Sequence, residues 1–496
     1  MKGNVVTKMG STGQASVVII GGGPAGLTAA RELSKHQVPA VVLEADKQVG
    51  GISRTVNYKG YLFDIGGHRF FTKWDEVNQI WRETLGDHFL LRPRLSRIYY
   101  RKKFFLYPLV AKNALLGLGL IESVRILLSY FRSALFPTPK EDNLEEWVTN
   151  RFGKRLYQIF FKTYTEKVWG VPCTSIQAEW AAQRIRGLSL LTAVRNALFP
   201  AKTPKAKTLI DRFHYPEHGP GEMWETLAGQ LNQQGYPVLM ERHVVRICHE
   251  GGTVTRVITR GPHGEESFEG THFISSMPIR ELVRALDPQP PEAIRDAAEQ
   301  LRYRDFLIVS LIINRQEVSP DNWIYVHEPG VKVGRIQNFK NWSPSMVPDL
   351  SKTCLGMEYF VFENDELWSS PDPKLLEMAR REIAQLGLVR PEEIEDGTVV
   401  RMQKAYPMYD PGWADRVQTI RAYAEANLKN LQFVGRNGMH KYNNQDHSMM
   451  TALCAARNIC GADLDLWAIN SEPDYHEEVK EEKSQEKAAP MESLAR

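Results

Sequence analysis

The chain has 496 residues, 43% hydrophobic and 24% charged; this balance excludes a disordered or fibrous polymer, and the length exceeds one simple core. The net charge of +3 is uneven, because the last 26 residues, from Ser471, hold eight acidic and four basic groups and leave about +7 on the remainder. A mildly basic body suits an anionic small molecule better than a nucleic-acid tract. Cys173, Cys248, Cys354, Cys454 and Cys460 form no CxxC pair, so no disulfide or zinc framework is expected and the protein reads as reduced and cytoplasmic.

Residues 1–15 lack an apolar core and read as a flexible leader. SVVII (16–20), a glycine-rich turn, the helical LTAARELSK and VPAVVLEA (38–45) together predict a βαβ unit. Gly21, Gly23 and Gly26 give G-x-G-x-x-G between strand and helix. The first glycine allows the turn, the second admits a pyrophosphate to the backbone and the third lets helix and strand pack. Pro24 and Ala25 complete the loop, and the helix N-terminus favours negative charge. Glu44, 18 residues after Gly26, is placed to bind ribose hydroxyls; an acid there disfavours a 2′-phosphate, so FAD or NAD is favoured over NADP.

Further on, Arg54 after Gly50-Gly51 can reach a pyrophosphate, and the Gly66-Gly67-His68 turn lets backbone approach a flat ring. RPRLSRIYYRKKFF (92–105) reads as a hairpin with one solvated face. The apolar run from Phe104 to Phe131 is interrupted by Lys112, Glu122 and Arg125, which predicts a buried or amphipathic helix rather than a membrane span and leaves only weak membrane-surface contact. Residues 110–215 read mostly helical. VVRICHEGGTVTRVITRG predicts a hairpin turning at Gly251-Gly252, and THFISSMP predicts a strand ending in a loop. LIVSLIIN, CLGMEYFVFE and TVVRMQKAYP read as strands, and DPKLLEMARREIAQLG as a helix. In GRNGMHKYNNQDHSMM (435–450), Asp446 and Ser448 are candidate caps of a following helix. His440 and His447 have no third ligand at metal spacing, so no metal site is expected.

The Gly-Gly-His loop resembles that of the flavoprotein superfamily of amine oxidases, phytoene desaturases, protoporphyrinogen oxidases and UDP-galactopyranose mutases. YTEKVWGVPCTSIQAEWAAQRIRG (164–187), WIYVHEPGVKVGRIQNFKNWSP (323–344), the YP element at Tyr406 and GRNGMHKYNNQDHSMM are similar to the mutase branch. The resemblance implies an α/β fold: a Rossmann-type FAD-binding domain with inserted helical and antiparallel-sheet substrate domains. The expected division is 16–90, 220–295 and 430–470 for FAD, 110–219 helical, 91–109 with 296–429 for the substrate sheet, and a disordered charged tail from 471.

The same resemblance implies contacts to the cofactor from Gly51, Gly66, Gly67, His68, Val245, Gly435, Arg436, Gln445, Asp446, His447 and Ser448. It places Arg184, Trp323, Tyr325, Arg335, Tyr406, Arg436, Tyr442 and Asn444 around a nucleotide-sugar diphosphate, with His68, Arg184 and Arg335 nearest the chemistry. The arginine forks and phenols at these positions suit a diphosphate. Taken singly, each competes with a plain role as a salt bridge, a core Trp or a boundary Tyr; their joint match to one family's pocket is harder to explain that way. In that branch reduced flavin N5 attacks the anomeric carbon and forms a covalent glycosyl adduct, with FAD as cofactor and NAD(P)H as external reductant. Arg69 departs from the branch, which has an apolar residue there. Two rivals stand beside this reading: a FAD-dependent oxidoreductase of the amine oxidase, protoporphyrinogen oxidase or desaturase type, and an inert FAD-binding scaffold.

Overall fold

A computed structural model describes residues 5–7, 16–107, 109, 111–178 and 212–471. A five-stranded parallel sheet runs in the order Val238–Leu239, Ala40–Leu43, Val17–Ile20, His272–Ser275, Leu431–Phe433. Val17–Ile20 and Ala40–Leu43 are buried at every position, the unbroken apolar pattern of strands covered on both faces. The helix Pro24–Lys35, opened by a proline whose missing N–H costs nothing at that position, packs against the helix Gln445–Ile459. Trp81 and Trp224, both fully buried, meet edge to face in the same core. Arg457 ties the helices Pro24–Lys35 and Gln445–Ile459 together, its Nε donating to Glu32 at 2.7 Å across 425 residues.

A second five-stranded sheet runs Val5–Thr7, Gly264–Glu269, Thr253–Gly261, His243–Glu250, Leu286–Asp287. The hairpin expected at Gly251-Gly252 lies at its centre, with both glycines at positive φ (60° and 83°) and Glu250 opposite Thr253. Residues 5–7, inside the segment read as a flexible leader, instead pair parallel with 266–268. Three β-branched residues are too few to signal a strand by periodicity.

The largest sheet has seven strands: Ile394–Pro407, Tyr303–Ile313, Thr353–Val361, Arg335–Asn338, Trp323–Val326, Ser96–Tyr100, Lys103–Leu106. Tyr303–Ile313 is buried along its whole length. Leu307, Val309, Leu311 and Ile313 enter one core, and the alternate residues Phe306, Ile308 and Ile312 enter another, the two-residue period of a strand with both faces covered.

Ser96–Tyr100 and Lys103–Leu106 form the expected hairpin, turning through Arg101 and Lys102 at positive φ. The solvated face is not found, since Ile98 and Tyr99 are buried in different cores. Arg97 is neutralised by a forked pair of hydrogen bonds to the buried Asp321 (2.8 and 2.6 Å), while Arg101, Lys102 and Lys103 at the turn are exposed.

The helical region comprises Ala111–Leu118, Leu120–Leu135, Leu144–Phe152, Lys154–Tyr157 and Thr163–Trp169, among others. Among the described residues no helix is long and apolar enough to cross a membrane. The cysteines are all unpaired.

Candidate active site

A cavity of about 1030 Å³ opens at the carboxyl ends of the parallel strands. Gly21, Glu44, Ser276 and Gly435 line it, each one or two residues beyond a strand of that sheet. This is where open α/β sheets bind ligands. The opposite wall comes from the seven-stranded sheet, through Arg335, Arg401 and Tyr406.

The three loop glycines are distinct. Gly21 has φ +103°, and a methyl group on it would lie 2.2 Å from Ser276 Oγ; on Gly26 it would lie 1.8 Å from the Gly21 carbonyl oxygen. These two serve the turn and the helix–strand contact. A methyl group on Gly23 would meet nothing nearer than Gly51 Cα, 3.9 Å away. Gly23 instead faces cavity space, as backbone that must admit a pyrophosphate requires. Pro24, Ala25 and Gly51 line the same space, whereas Gly26 does not.

Glu44 stands at the cavity with its carboxylate already engaged: Oε2 accepts the Gly22 N–H at 2.6 Å and Oε1 the Asp46 N–H at 2.9 Å. Burial raises its pKa and these two bonds oppose the rise. Arg54 lines the cavity and pairs with Asp46, so the expected pyrophosphate cation is held beside the ribose-side acid. The free glycine space, the acid and the helix N-terminus fit an adenine dinucleotide.

Gly66, at φ +101°, turns the chain from the strand Tyr61–Asp64 toward His68. A methyl group on Gly66 would lie 3.8 Å from His68 Cε1 and 3.9 Å from Arg335 Nη2. Burial and the charges of Arg436 and Arg335 push the His68 pKa down to about 3, so its imidazole is neutral. Its Nδ1 is buried with no protein partner. Arg335 is anchored through Nε to the fully buried Glu358, whose other oxygen accepts from Gln337 Nε2 at 2.7 Å. Behind the turn, the fully buried Asp64 is hydrogen-bonded by Tyr215 and Thr55, and burial raises its pKa to about 8.

The segment from Gly435 supplies the third wall. Gly435 has φ +78°, and its N–H donates to Thr451 Oγ1 at 3.0 Å. Arg436 donates to the carbonyls of Asn443 (2.8 Å) and Ala405 (3.0 Å). Its guanidinium lies 5.6 Å from the Tyr406 ring centre and 4.9 Å from that of Tyr442. Those two rings are stacked 5.7 Å apart at 12°.

Asn444 caps the helix Gln445–Ile459 in a reciprocal capping box with His447, whose ring accepts the Asn444 N–H. The caps expected at Asp446 and Ser448 are displaced by this, because the helix starts earlier and both residues sit in its first turn.

Asn444, Gln445, Asp446, Ser448, Gly67 and Val245 also line the cavity. Three other expected site residues do not. His447 turns to Asn444 and lies edge-on to Trp74. Trp323 stacks on Trp342 within a core, and Tyr325 packs among Tyr107, Tyr164 and Trp323. Trp323 is buried, whereas Tyr325 is half-buried and lies within electrostatic reach of Arg335. Arg184 lies outside the described residues.

Sequence reasoning missed Ser276, Asn437 and Arg242, which line the cavity. Ser276 directly follows a parallel strand and was legible from that rule. Asn437 carries a buried Oδ1 without a partner. Apart from His440 and His447, the residues His88, Glu217 and His218 bring ligand atoms within 4.8 Å of one another, outside the cavity lining. Both imidazoles are hydrogen-bonded to Glu222 (2.8 and 3.1 Å).

The fold is similar to reduced UDP-galactopyranose mutase, with a TM-score of 0.79 at 22% identity over 93% of this chain and 98% of that one. It is also similar to a protein assigned as a protoporphyrinogen oxidase from Exiguobacterium sp. 255-15 (TM-score 0.68, 19% identity, 91% and 99% covered). Putrescine oxidase follows at TM-score 0.58 and 15% identity, with 90% and 99% covered. Among curated proteins, 68 residues are 40% identical to pseudooxynicotine dehydrogenase from Pseudomonas sp, covering 14% of this chain and 13% of that protein. A 50-residue stretch is 48% identical to the inactive all-trans-retinol 13,14-reductase of Danio rerio, covering 10% of this chain and 8% of that one. Residues 24–460 match the flavin containing amine oxidoreductase family, and on that match across most of its length the chain belongs to this family.

Proposed function

We propose that the protein is a FAD-dependent enzyme acting on a nucleotide sugar, most closely a UDP-galactopyranose mutase-like pyranose–furanose isomerase. The observation carrying this reading is the convergence of Arg335, Arg436, Tyr406 and Tyr442 on the wall beyond His68. Forked cations beside phenols stabilise a departing diphosphate. Bound FAD, in its reduced form, supplies the nucleophile for such chemistry. The glycine loop and the first turn of Gln445–Ile459 would hold its diphosphate and ring edge. Neutral His68 places a buried, unpartnered Nδ1 at the site without adding charge. Arg335, fixed by Glu358, and Arg436, fixed by two carbonyls, are preorganised to receive phosphate charge. In this reading Asn444 contacts the sugar, NAD(P)H reduces the flavin and the enzyme works in the cytoplasm.

The second reading is an oxidoreductase, for which a stacked tyrosine pair could be an amine cage. The Tyr406–Tyr442 spacing of 5.7 Å is too narrow to admit a group between the rings, since that requires about 7 Å, two van der Waals contacts of ~3.5 Å. Arg436 already borders both rings, which favours an anionic ligand. The test is to reduce the holoprotein with dithionite, supply UDP-galactopyranose and related UDP-sugars, and resolve the products by anion-exchange chromatography. Furanose product that disappears in Arg436→Ala is expected. No conversion across the panel, with anaerobic bleaching of oxidised flavin by amines, would sink the proposal.

A further inference from the structure

The helix Leu120–Leu135 is inside out. Its buried positions are Glu122, Ser123, Ile126 and Ser133. Its exposed side carries Leu120 (81% exposed), Ile121, Val124, Leu128, Phe131 and Leu135 (73%). Those positions recur every three to four residues, so they form one stripe, about 22 Å long at ~1.5 Å per residue. Phe136 extends it at one end and Leu116, on the preceding helix, at the other, at 79% and 73% exposure.

The helix cannot roll to hide this stripe, because its polar side is fastened. Arg155 holds Glu122 through Nε and Nη2, and the Arg155 N–H donates to Ser129 Oγ at 3.0 Å. Glycine at position 153 brings the next helix so close that a methyl group there would lie 2.8 Å from the Tyr130 backbone. A contiguous apolar patch of this kind marks an interaction surface.

Charge says what covers it. Residues 101–140 hold seven basic residues and one acid, and that acid is Glu122, buried in its pair with Arg155. Arg125 and Arg132 are exposed between the apolar residues of the helix. Lys103 Nζ donates to the Gly117 carbonyl at 2.7 Å, which seats the basic turn Arg101–Lys103 at the end of the neighbouring helix. An apolar stripe rimmed by cations matches the boundary of an anionic bilayer, with acyl chains under the stripe and lipid phosphates at the rim. A second copy of the chain fits poorly, because an antiparallel twofold pairing of the stripes would set the Arg125–Arg132 rim against the same rim of the copy.

We propose that Leu120–Leu135 lies in the surface of an anionic membrane and docks the protein there without spanning it. The test is flotation of the full-length holoprotein with vesicles of phosphatidylcholine alone and of phosphatidylcholine mixed with phosphatidylglycerol. Binding to the mixed vesicles, weakening with salt, is expected. The triple variant Ile121→Ser, Leu128→Ser, Phe131→Ser should lower the partition coefficient by about 100-fold, and Lys102→Gln, Arg125→Gln, Arg132→Gln by about as much. Both variants alter exposed positions and should keep the flavin spectrum and melting temperature of the parent. Failure of the parent to float, or equal flotation of the serine variant, overturns the proposal. So does a concentration-dependent dimer that the serine changes abolish without any vesicle binding.

Discussion

Asp64 gives a stability prediction whose sign can be worked from the structure. Its carboxyl is fully buried, and burial, reinforced by the nearby charge of Glu358, raises its pKa from 3.8 to about 8. The folded protein therefore keeps a proton that the unfolded chain releases above pH 4. The contribution is fully present below the unfolded pKa and is lost as pH rises through the folded one. The slope is about 1.4 kcal/mol per pH unit, so raising the pH from 5 to 7.5 should cost roughly 3 kcal/mol of stability from this group alone.

Asp64→Asn preserves the shape and the partners Tyr215 and Thr55 while removing the titration. Urea unfolding followed by tryptophan fluorescence at both pH values should give a pH dependence shallower by that amount in the variant. Parallel curves for parent and variant would refute the protonated buried carboxyl.

Gly23→Ala should leave the melting temperature of the apoprotein unchanged and weaken FAD binding at least tenfold by fluorescence titration, because only cavity space receives the methyl group. Gly26→Ala should instead destabilise the fold by about 2–3 kcal/mol in urea, since it overpacks backbone; equal behaviour of the two variants would contradict the division of roles. Arg335→Ala strands the buried Glu358 and should cost about 3–5 kcal/mol, most of it recovered in Arg335→Ala with Glu358→Gln. With the His68 pKa near 3, a flavin absorbance titration should show no step between pH 5 and 8 that depends on His68. A step near pH 6.5 that vanishes in His68→Asn would overturn this.

The glycine loop was legible because its constraint is local: strand, turn and helix fix what each glycine must do within a few residues. The paired sides of the seven-stranded sheet were not legible. Trp323 and Tyr325 have side chains suited to a sugar, yet Trp323 is stacked on Trp342 inside a core and the half-buried Tyr325 packs among Tyr107, Tyr164 and Trp323. His447 looked polar enough for a ligand, but it is spent on capping its own helix. The stripe on Leu120–Leu135 was visible as periodicity. Which side of it faced the protein depended on Arg155 and Gly153, which no spacing rule connects to it.

The edge strand Leu431–Phe433 and the helix after it carry a consequence for biosynthesis. A ribosome-bound chain that ends before them has made the glycine loop and the parallel strands that flank it, yet has neither the wall at Gly435 and Arg436 nor the helix that packs on Pro24–Lys35. The glycine loop must wait for nearly the whole chain, a closure of high contact order. Cofactor capture is then expected late, once the glycine loop and the segment from Gly435 have met. A chain cut short before residue 431 should be colourless even where its helices have formed.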